Sequence, residues 1–166
     1  MGILRILRGV RVALLTMVYA ALACCSSPPQ KPEPVNVKLT IAVSSDVNPD
    51  AQNRPSPIVI RLYQLRDATA FKDADFFALY DKEEATLAAA LVSRVEFELT
   101  PGEQRLSDFS LSPDAHFLGI AAAYRDIRNA QWRALAGSAE KGMVDVVKKN
   151  KITIAVARAR VSFAGD

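Results

Sequence analysis

The chain holds almost none of the residues on which most enzyme and metal chemistry is built. Of its 166 residues two are cysteine, the adjacent Cys24 and Cys25, and one is histidine, His116. The absence of cysteine beyond position 25 excludes the usual Cys-rich and His-rich zinc sites, and a Cys–His nucleophile pair in the body of the chain. A Ser–His–Asp triad would have to use His116, and no strand–G-x-S-x-G–helix element exists to supply the serine. His116 stands between Pro113 and an apolar run starting at Phe117, so it reads as an ordinary strand-end residue. The seven glycines are scattered, which leaves no glycine-rich phosphate loop. The acids Asp73, Asp75, Asp81, Glu83 and Glu84 lack the calcium-loop spacing and its turn glycine, and suit helix N-termini instead. No catalytic residue, cofactor or metal is expected. Disulfides are not needed either, because a body of roughly 130 residues can bury an adequate core.

Negative charge is missing from the start of the chain. Arg5, Arg8 and Arg11 precede the first acid, Glu33, and Val12 to Ala23 is uncharged and almost wholly apolar. That run is too short to span a bilayer, which takes roughly 20 apolar residues. Its apolar residues go all the way round a helix rather than along one face, so a buried helix fits poorly. Basic start, short apolar core and small residues before a processing point make residues 1–23 an export signal. Ala20-Ala21-Leu22-Ala23-Cys24 resembles a lipobox, in which a small residue precedes the cut and the cysteine sulfur takes a diacylglycerol thioether. Cys24 is therefore the expected lipidated residue. Cys25 is a competing anchor, favoured by the leucine three places before it but disfavoured by a cysteine at the cut. A cysteine of this kind carries three acyl chains, enough for stable membrane attachment where one is marginal. Aspartate after the anchor would resemble an inner-membrane retention signal; Cys25 followed by Ser26 lacks it, which points to the outer membrane.

Removing the signal removes the basic character. The three arginines before Cys24 account for the whole excess, leaving 18 Lys+Arg against 18 Asp+Glu. No basic stripe remains for phosphate binding, so nucleic acid is not an expected partner. Residues 24–34 comprise the lipidated cysteine and a Pro-rich tether, SSPPQKPEP from Ser26 to Pro34, which stays extended at about 3.1 Å per residue.

The folded domain is expected over 35–166. Val35, Val37, Leu39, Ile41 and Val43 alternate with smaller or polar residues as a half-buried strand. Residues 44–57, with three prolines, two asparagines and two aspartates, read as a long exposed loop of the kind that is often functional. Ile58–Leu65, apolar on both faces, suits a central strand. Asp73 is expected to cap a helix carrying Phe76, Phe77 and Tyr80, and these aromatics with Trp132 to pack as core. Asp81 and Glu84 have capping-box spacing ahead of a helix carrying Leu87 and Leu91, supported by Ala85 and Ala88–Ala90. Strands follow over Val95–Leu99, Gln104–Leu111 after a Pro101-Gly102 turn, Phe117–Tyr124, Gln131–Leu135, Met143–Val147 and Ile152–Phe163. In the last of these the inward face switches, as a bulge near Ala157 would cause. About eight short strands with one short helical insertion make the chain mainly β, a two-sheet β-sandwich.

One family matches these residues in order. Asn48-Pro49-Asp50, Arg54-Pro55-Ser56-Pro57 and an apolar strand ending Tyr63-Gln64-Leu65 resemble a segment of the TssJ family of type VI secretion lipoproteins. The likeness continues through Ala74-Asp75-Phe76-Phe77-Ala78-Leu79, Pro101-Gly102-Glu103, Leu118-Gly119, Ala122-Ala123-Tyr124-Arg125-Asp126 and Trp132-Arg133. The resemblance implies a transthyretin-like two-sheet sandwich with added helices, tethered to the inner leaflet of the outer membrane. It also implies a partner, the periplasmic C-terminal domain of TssM, within a complex that includes TssL. The family's contact element maps onto Val47-Asn48-Pro49-Asp50-Ala51-Gln52-Asn53-Arg54-Pro55-Ser56-Pro57, inside the long loop. Two readings from other classes compete with it. A glycan- or peptidoglycan-binding lipoprotein would need exposed aromatic platforms such as Trp132, Tyr63 and Tyr124, and an envelope hydrolase would need a nucleophile–base pair at His116.

Overall fold

A computed structural model describes residues 33–137 and 150–164. The expectations for the export signal, Cys24, most of the tether and a strand over Met143–Val147 fall outside those residues.

Among the described residues eight strands form two four-stranded sheets, and three short helices form the insertion. The first sheet has the order β4-β1-β7-β8, with β1 at Val35–Val43, β4 at Gln104–Leu111, β7 at Lys151–Val156 and β8 at Val161–Phe163. The second has the order β3-β2-β5-β6, with β2 at Ile58–Leu65, β3 at Leu91–Leu99, β5 at Phe117–Ala122 and β6 at Arg133–Gly137. Alternation in β1 turns Val37, Leu39, Ile41 and Val43 onto Ile58, Ile60, Leu62, Leu118 and Ile120 of the facing sheet, and all of these are buried. β2 is central and buried along most of its length, as its two-sided apolar pattern requires. Gln64, also buried, clasps the sheets together. Its Nε2 donates to the Ser110 carbonyl at 2.8 Å, and its Oε1 accepts from Ser112 N at 2.7 Å.

Register fixes which loops share an end. Val35 pairs with Leu111, while Leu65 pairs with both Leu91 and Phe117, so the chain enters the sandwich at the end where the helical insertion is rooted. Val43 pairs with Val156, Ile58 with Leu99 and Ile60 with Ala122, which gathers the 44–57 segment and the turns after β3, β5 and β7 at the opposite end. The nine residues of β1 separate the two ends by about 30 Å.

Helices α1 (Thr69–Asp73), α2 (Phe76–Asp81) and α3 (Glu83–Leu87) cover the outer face of the second sheet, burying Phe71, Leu79 and Leu87 against Tyr63, Leu65 and Ala121. Arg61 bolts this layer down. It donates to Glu96 Oε2 at 2.7 Å and to the Tyr80 carbonyl at 2.6 Å, its guanidinium lies 3.9 Å from the Tyr80 ring centre, and Glu83 joins the network through Arg94 at 2.8 Å. The Arg61 hydrogen bond holds the Glu96 carboxyl below its usual range, and burial pushes the Tyr63 hydroxyl up to about 12. Gly119 makes the close packing possible. A Cβ there would lie 2.7 Å from Phe71 Cζ, inside contact distance of a ring that is itself fully buried. Gly119→Ala is expected to destabilise the domain by about 1–3 kcal/mol through overpacking, seen as a lower urea midpoint at unchanged slope.

Several local expectations are corrected. Asp75, not Asp73, caps α2, accepting from Ala78 N at 2.8 Å. Asp81 ends α2 rather than starting a capping box; Lys82 holds the cap position of α3 without a side-chain bond. The helix stops at Leu87 because Ala88 has φ +43°, and Ala88–Ala90 form a single 3₁₀ turn that delivers Leu91 to its pairing with Leu65. Alanine propensity is overridden by sheet pairing there. The face switch near Ala157 is a hairpin, not a bulge: Ala157 N donates to the Arg160 carbonyl at 2.8 Å, and β8 folds back antiparallel on β7. β5 stops at Ala122 rather than Tyr124, and β6 starts at Arg133, two residues later than the pattern indicates. Finally, Phe76, Phe77 and Tyr80 lie outside the core, while Trp132 packs half-buried against both apolar clusters. Phe76 stacks on Tyr80 and meets Trp132 edge-on, all three half-buried, while Phe77 is 62% exposed.

Candidate functional site

The 44–57 segment is a folded element with a buried foot and an exposed tip. Val47, Asn48 and Ser56 are buried, so these three of the expected contact residues face the body, contrary to a wholly exposed loop. Ala51 to Pro55 and Pro57 are exposed, and Pro49 and Asp50 are half-buried between foot and tip. Asn48 is the hinge pin. Its Nδ2 donates to the Pro57 carbonyl at 2.7 Å, its Oδ1 accepts from Arg125 N at 2.8 Å, and its own N–H reaches the Arg158 carbonyl at 3.0 Å. Its φ of +50° lies in the left-handed region, which asparagine tolerates better than most residues.

Asp50 shapes the tip. Its Oδ1 accepts from the N–H groups of Gln52 and Arg54, both at 2.9 Å, while its Oδ2 accepts from Arg54 Nε at 2.8 Å. Main-chain bonds between Asp50 and Arg54 and from Asn53 to Asp50, each 2.9 Å, close the turn, with Asn53 at φ +61°. The Arg54 N–H is the largest cause holding the Asp50 carboxyl below its usual range; the Arg54 guanidinium and the charge of Arg125 act in the same direction. Asp50 is thus a fixed anion whose oxygens serve the turn. Prolines at 49, 55 and 57 restrict the chain further, so the tip is presented with little left to order on binding.

Two other turns stand beside the segment and enclose an open cleft of about 660 Å³ with it. One is Tyr124–Ala130, after β5; the other is the β7–β8 hairpin turn carrying Arg158 and Ala159. They are tied together: Tyr124 OH donates to the Ala157 carbonyl at 3.0 Å, Gln131 N to the Ala159 carbonyl at 2.9 Å, and Arg158 Nη2 to Asn53 Oδ1 at 2.8 Å. Sequence reasoning marked only the first of these elements. The Asp126–Asn129 turn was legible as a turn, but nothing in its composition places it beside Asn48. The Arg158 turn was hidden because β7 and β8 read as one strand.

The positions weighed for other chemistry are elsewhere. His116 is an exposed residue whose N–H pairs with the Leu65 carbonyl at 2.9 Å, at the end remote from the cleft. Tyr63 and Tyr124 are buried, and Trp132 is edge-packed on Phe76 with the Arg133 guanidinium 4.9 Å from its ring centre, so none of these three offers a flat exposed platform for a glycan. Among the described residues no group of three or more His, Cys, Asp or Glu is placed to hold a metal ion, and no helix is long and apolar enough to cross a membrane. Cys24 lies outside the described residues.

Known proteins match both the sequence and the fold. The family model described as type VI secretion lipoprotein, VasD, EvfM, TssJ, VC_A0113 matches residues 35–159. Curated protein sequences give no significant match. The crystal structure of the T6SS lipoprotein TssJ1 from Pseudomonas aeruginosa is 33% identical over 79% of this chain and 95% of that one, with a TM-score of 0.70. Serratia marcescens Lip, described as a membrane bound component of the type VI secretion system, is 26% identical over 80% of this chain and 98% of that one, with a TM-score of 0.68. A chain in a structure of the T6SS protein TssM C-terminal domain (869–1107) from EAEC is 25% identical over 79% of this chain and 98% of that one, with a TM-score of 0.63. The family match spans every described strand but the last, and the fold is shared with TssJ1, so the chain belongs to the TssJ family of type VI secretion lipoproteins.

Proposed function

We propose that this protein is the outer-membrane connector of a type VI secretion complex, held by lipid on Cys24 and gripping the periplasmic C-terminal domain of TssM with the Val47–Pro57 segment. The observation that carries this reading is the placement of the two ends. The chain enters the sandwich at Val35, and the pre-shaped tip stands about 30 Å away at the far end of β1. A connector needs that polarity, and an isolated lipoprotein does not. The relative found in the TssM C-terminal domain structure supports the partner. That matching chain is shorter than the present one, whereas 869–1107 spans well over two hundred residues, so we read it as a companion to the TssM segment. Residues 24–34 act as the spacer, and TssL completes the assembly through TssM.

Gln52 and Arg54 are exposed, and truncating them leaves the foot of the segment untouched; the Arg54 side-chain bond to Asp50 is lost, but the main-chain bonds that close the turn remain. The Gln52→Ala, Arg54→Ala double variant is expected to bind the TssM C-terminal domain at least about tenfold more weakly with an unchanged urea midpoint, since losing a central arginine commonly costs more than 1 kcal/mol. Equal affinity would remove the segment from the interface. Cutting out 48–57 whole is a poorer test, because Asn48 and Ser56 belong to the buried foot.

A further inference from the structure

The cleft beside the tip carries two arginines whose side chains no hydrogen bond or ion pair holds among the described residues. Of the acids lining it, Asp50 is engaged by Arg54 at 2.8 Å and by two main-chain N–H groups. Asp126 accepts from Asn129 Nδ2 with both oxygens, at 3.0 and 2.8 Å. Of the three lining arginines, Arg158 donates to Asn53 and lies 3.8 Å from Asp46. Arg125 and Arg128 differ. Both are exposed, and among the described residues neither side chain makes a hydrogen bond or has a carboxylate within ion-pair distance.

We propose that this cleft is a carboxylate-binding site for an acidic segment of the protein partner, with Arg125 and Arg128 supplying the counter-charge. The proposal rests on the reading of this end as the docking end, and it adds the chemistry of the partner there. A guanidinium presents a planar fork that matches a carboxylate with two parallel hydrogen bonds, and two forks on one turn can take two acids or one acid twice. The site is already shaped. The main chain at Arg125 is fixed by Asn48 Oδ1, and the facing wall by the Gln131–Ala159 bond, so binding orders little beyond the two arginine side chains. A volume of about 660 Å³ lies within the range that ligand clefts occupy and admits several side chains of an extended segment.

A membrane phosphate would offer similar oxygens. The protein carboxylate is favoured because the cleft shares its lining with the exposed tip of the 44–57 segment, the proposed docking element, to which Arg158 is bonded through Asn53 Oδ1. Charges on a cleft rim act mainly by steering approach, so their signature is a faster, salt-sensitive association.

The test uses the full-length acylated protein in detergent and the purified TssM C-terminal domain, with association followed at low and high salt. For Arg125→Glu, Arg128→Glu the proposal expects affinity at least about tenfold lower at low salt, mostly from slower association, and a flattened salt dependence. The Arg125→Lys, Arg128→Lys variant keeps the charge and is expected to retain the salt dependence with part of the affinity. Urea midpoints matching the parent show that the sandwich is intact. If the parent binds TssM and the glutamate variant binds equally well with the same salt dependence, the carboxylate site is wrong while the docking end stands. If the parent itself does not bind, the docking reading fails and takes this one with it. If the variants differ only in binding to anionic phospholipid vesicles, the ligand is a lipid phosphate and the protein-partner proposal is overturned.

Discussion

Replacing Asn48 with alanine is expected to cost the domain about 2–4 kcal/mol and to weaken partner binding by more than any single change at the exposed tip. Three losses add up. The Pro57 carbonyl and the Arg125 N–H each lose a short, part-buried bond, and such a bond contributes roughly 0.5–1.5 kcal/mol. Alanine also pays about 1 kcal/mol or more to hold the left-handed φ of +50°. Relaxation and water entry offset part of the sum. Asn48→Gly relieves only the backbone cost and Asn48→Asp keeps only the acceptor for Arg125 N, so both should fall between alanine and the parent. Urea denaturation orders the series, and a shift under about 0.5 kcal/mol for alanine would show that Asn48 is not the pin. Binding suffers because the same residue sets the position of the tip against the Tyr124–Ala130 turn.

Most of the sandwich can be read from alternation. β1, β2 and β4 stand at their expected bounds, because period-two burial against a facing sheet leaves an unambiguous pattern. Most of the failures are places where a distant partner decides. Ala88–Ala90 are helix formers by propensity, yet Leu91 is needed opposite Leu65, so the helix ends one turn early. Val161 and Phe163 lie out of phase with Ile152 to Val156 because the chain reverses between them, and a tight turn of Arg158, Ala159 and Arg160 has no glycine or proline to announce it. The aromatic residues of α2 suited a core by type, but the second sheet's outer face is filled by Phe71, Leu79 and Leu87 first. The 44–57 segment was legible as a long Pro-rich connection. Its division into buried foot and exposed tip was not, since that depends on Arg125 and Arg158, 77 and more residues away.

Changing Cys24 to serine is expected to remove the protein from the membrane and to abolish secretion. Serine cannot form the thioether, so no acyl chain is added, and each buried methylene of a lost chain forfeits about 0.8 kcal/mol of membrane affinity. The remaining chain is charge-balanced after the signal, with no basic segment to hold it at an anionic surface. Fractionation is expected to show the variant either soluble in the periplasm or unprocessed with its signal attached. Cys25→Ser should leave both attachment and secretion intact, which separates the two candidate anchors. The opposite pattern would move the anchor one residue on.

The proposed connector has a lipid anchor at one end and a grip on TssM at the other, and both can be read in one experiment: flotation of the TssM C-terminal domain with phospholipid vesicles carrying the acylated protein. TssM should float with vesicles bearing the parent, and stay behind with the Gln52→Ala, Arg54→Ala double variant or with non-acylated Cys24→Ser. TssM that floats equally well with the double variant, or stays behind with the parent, would contradict it.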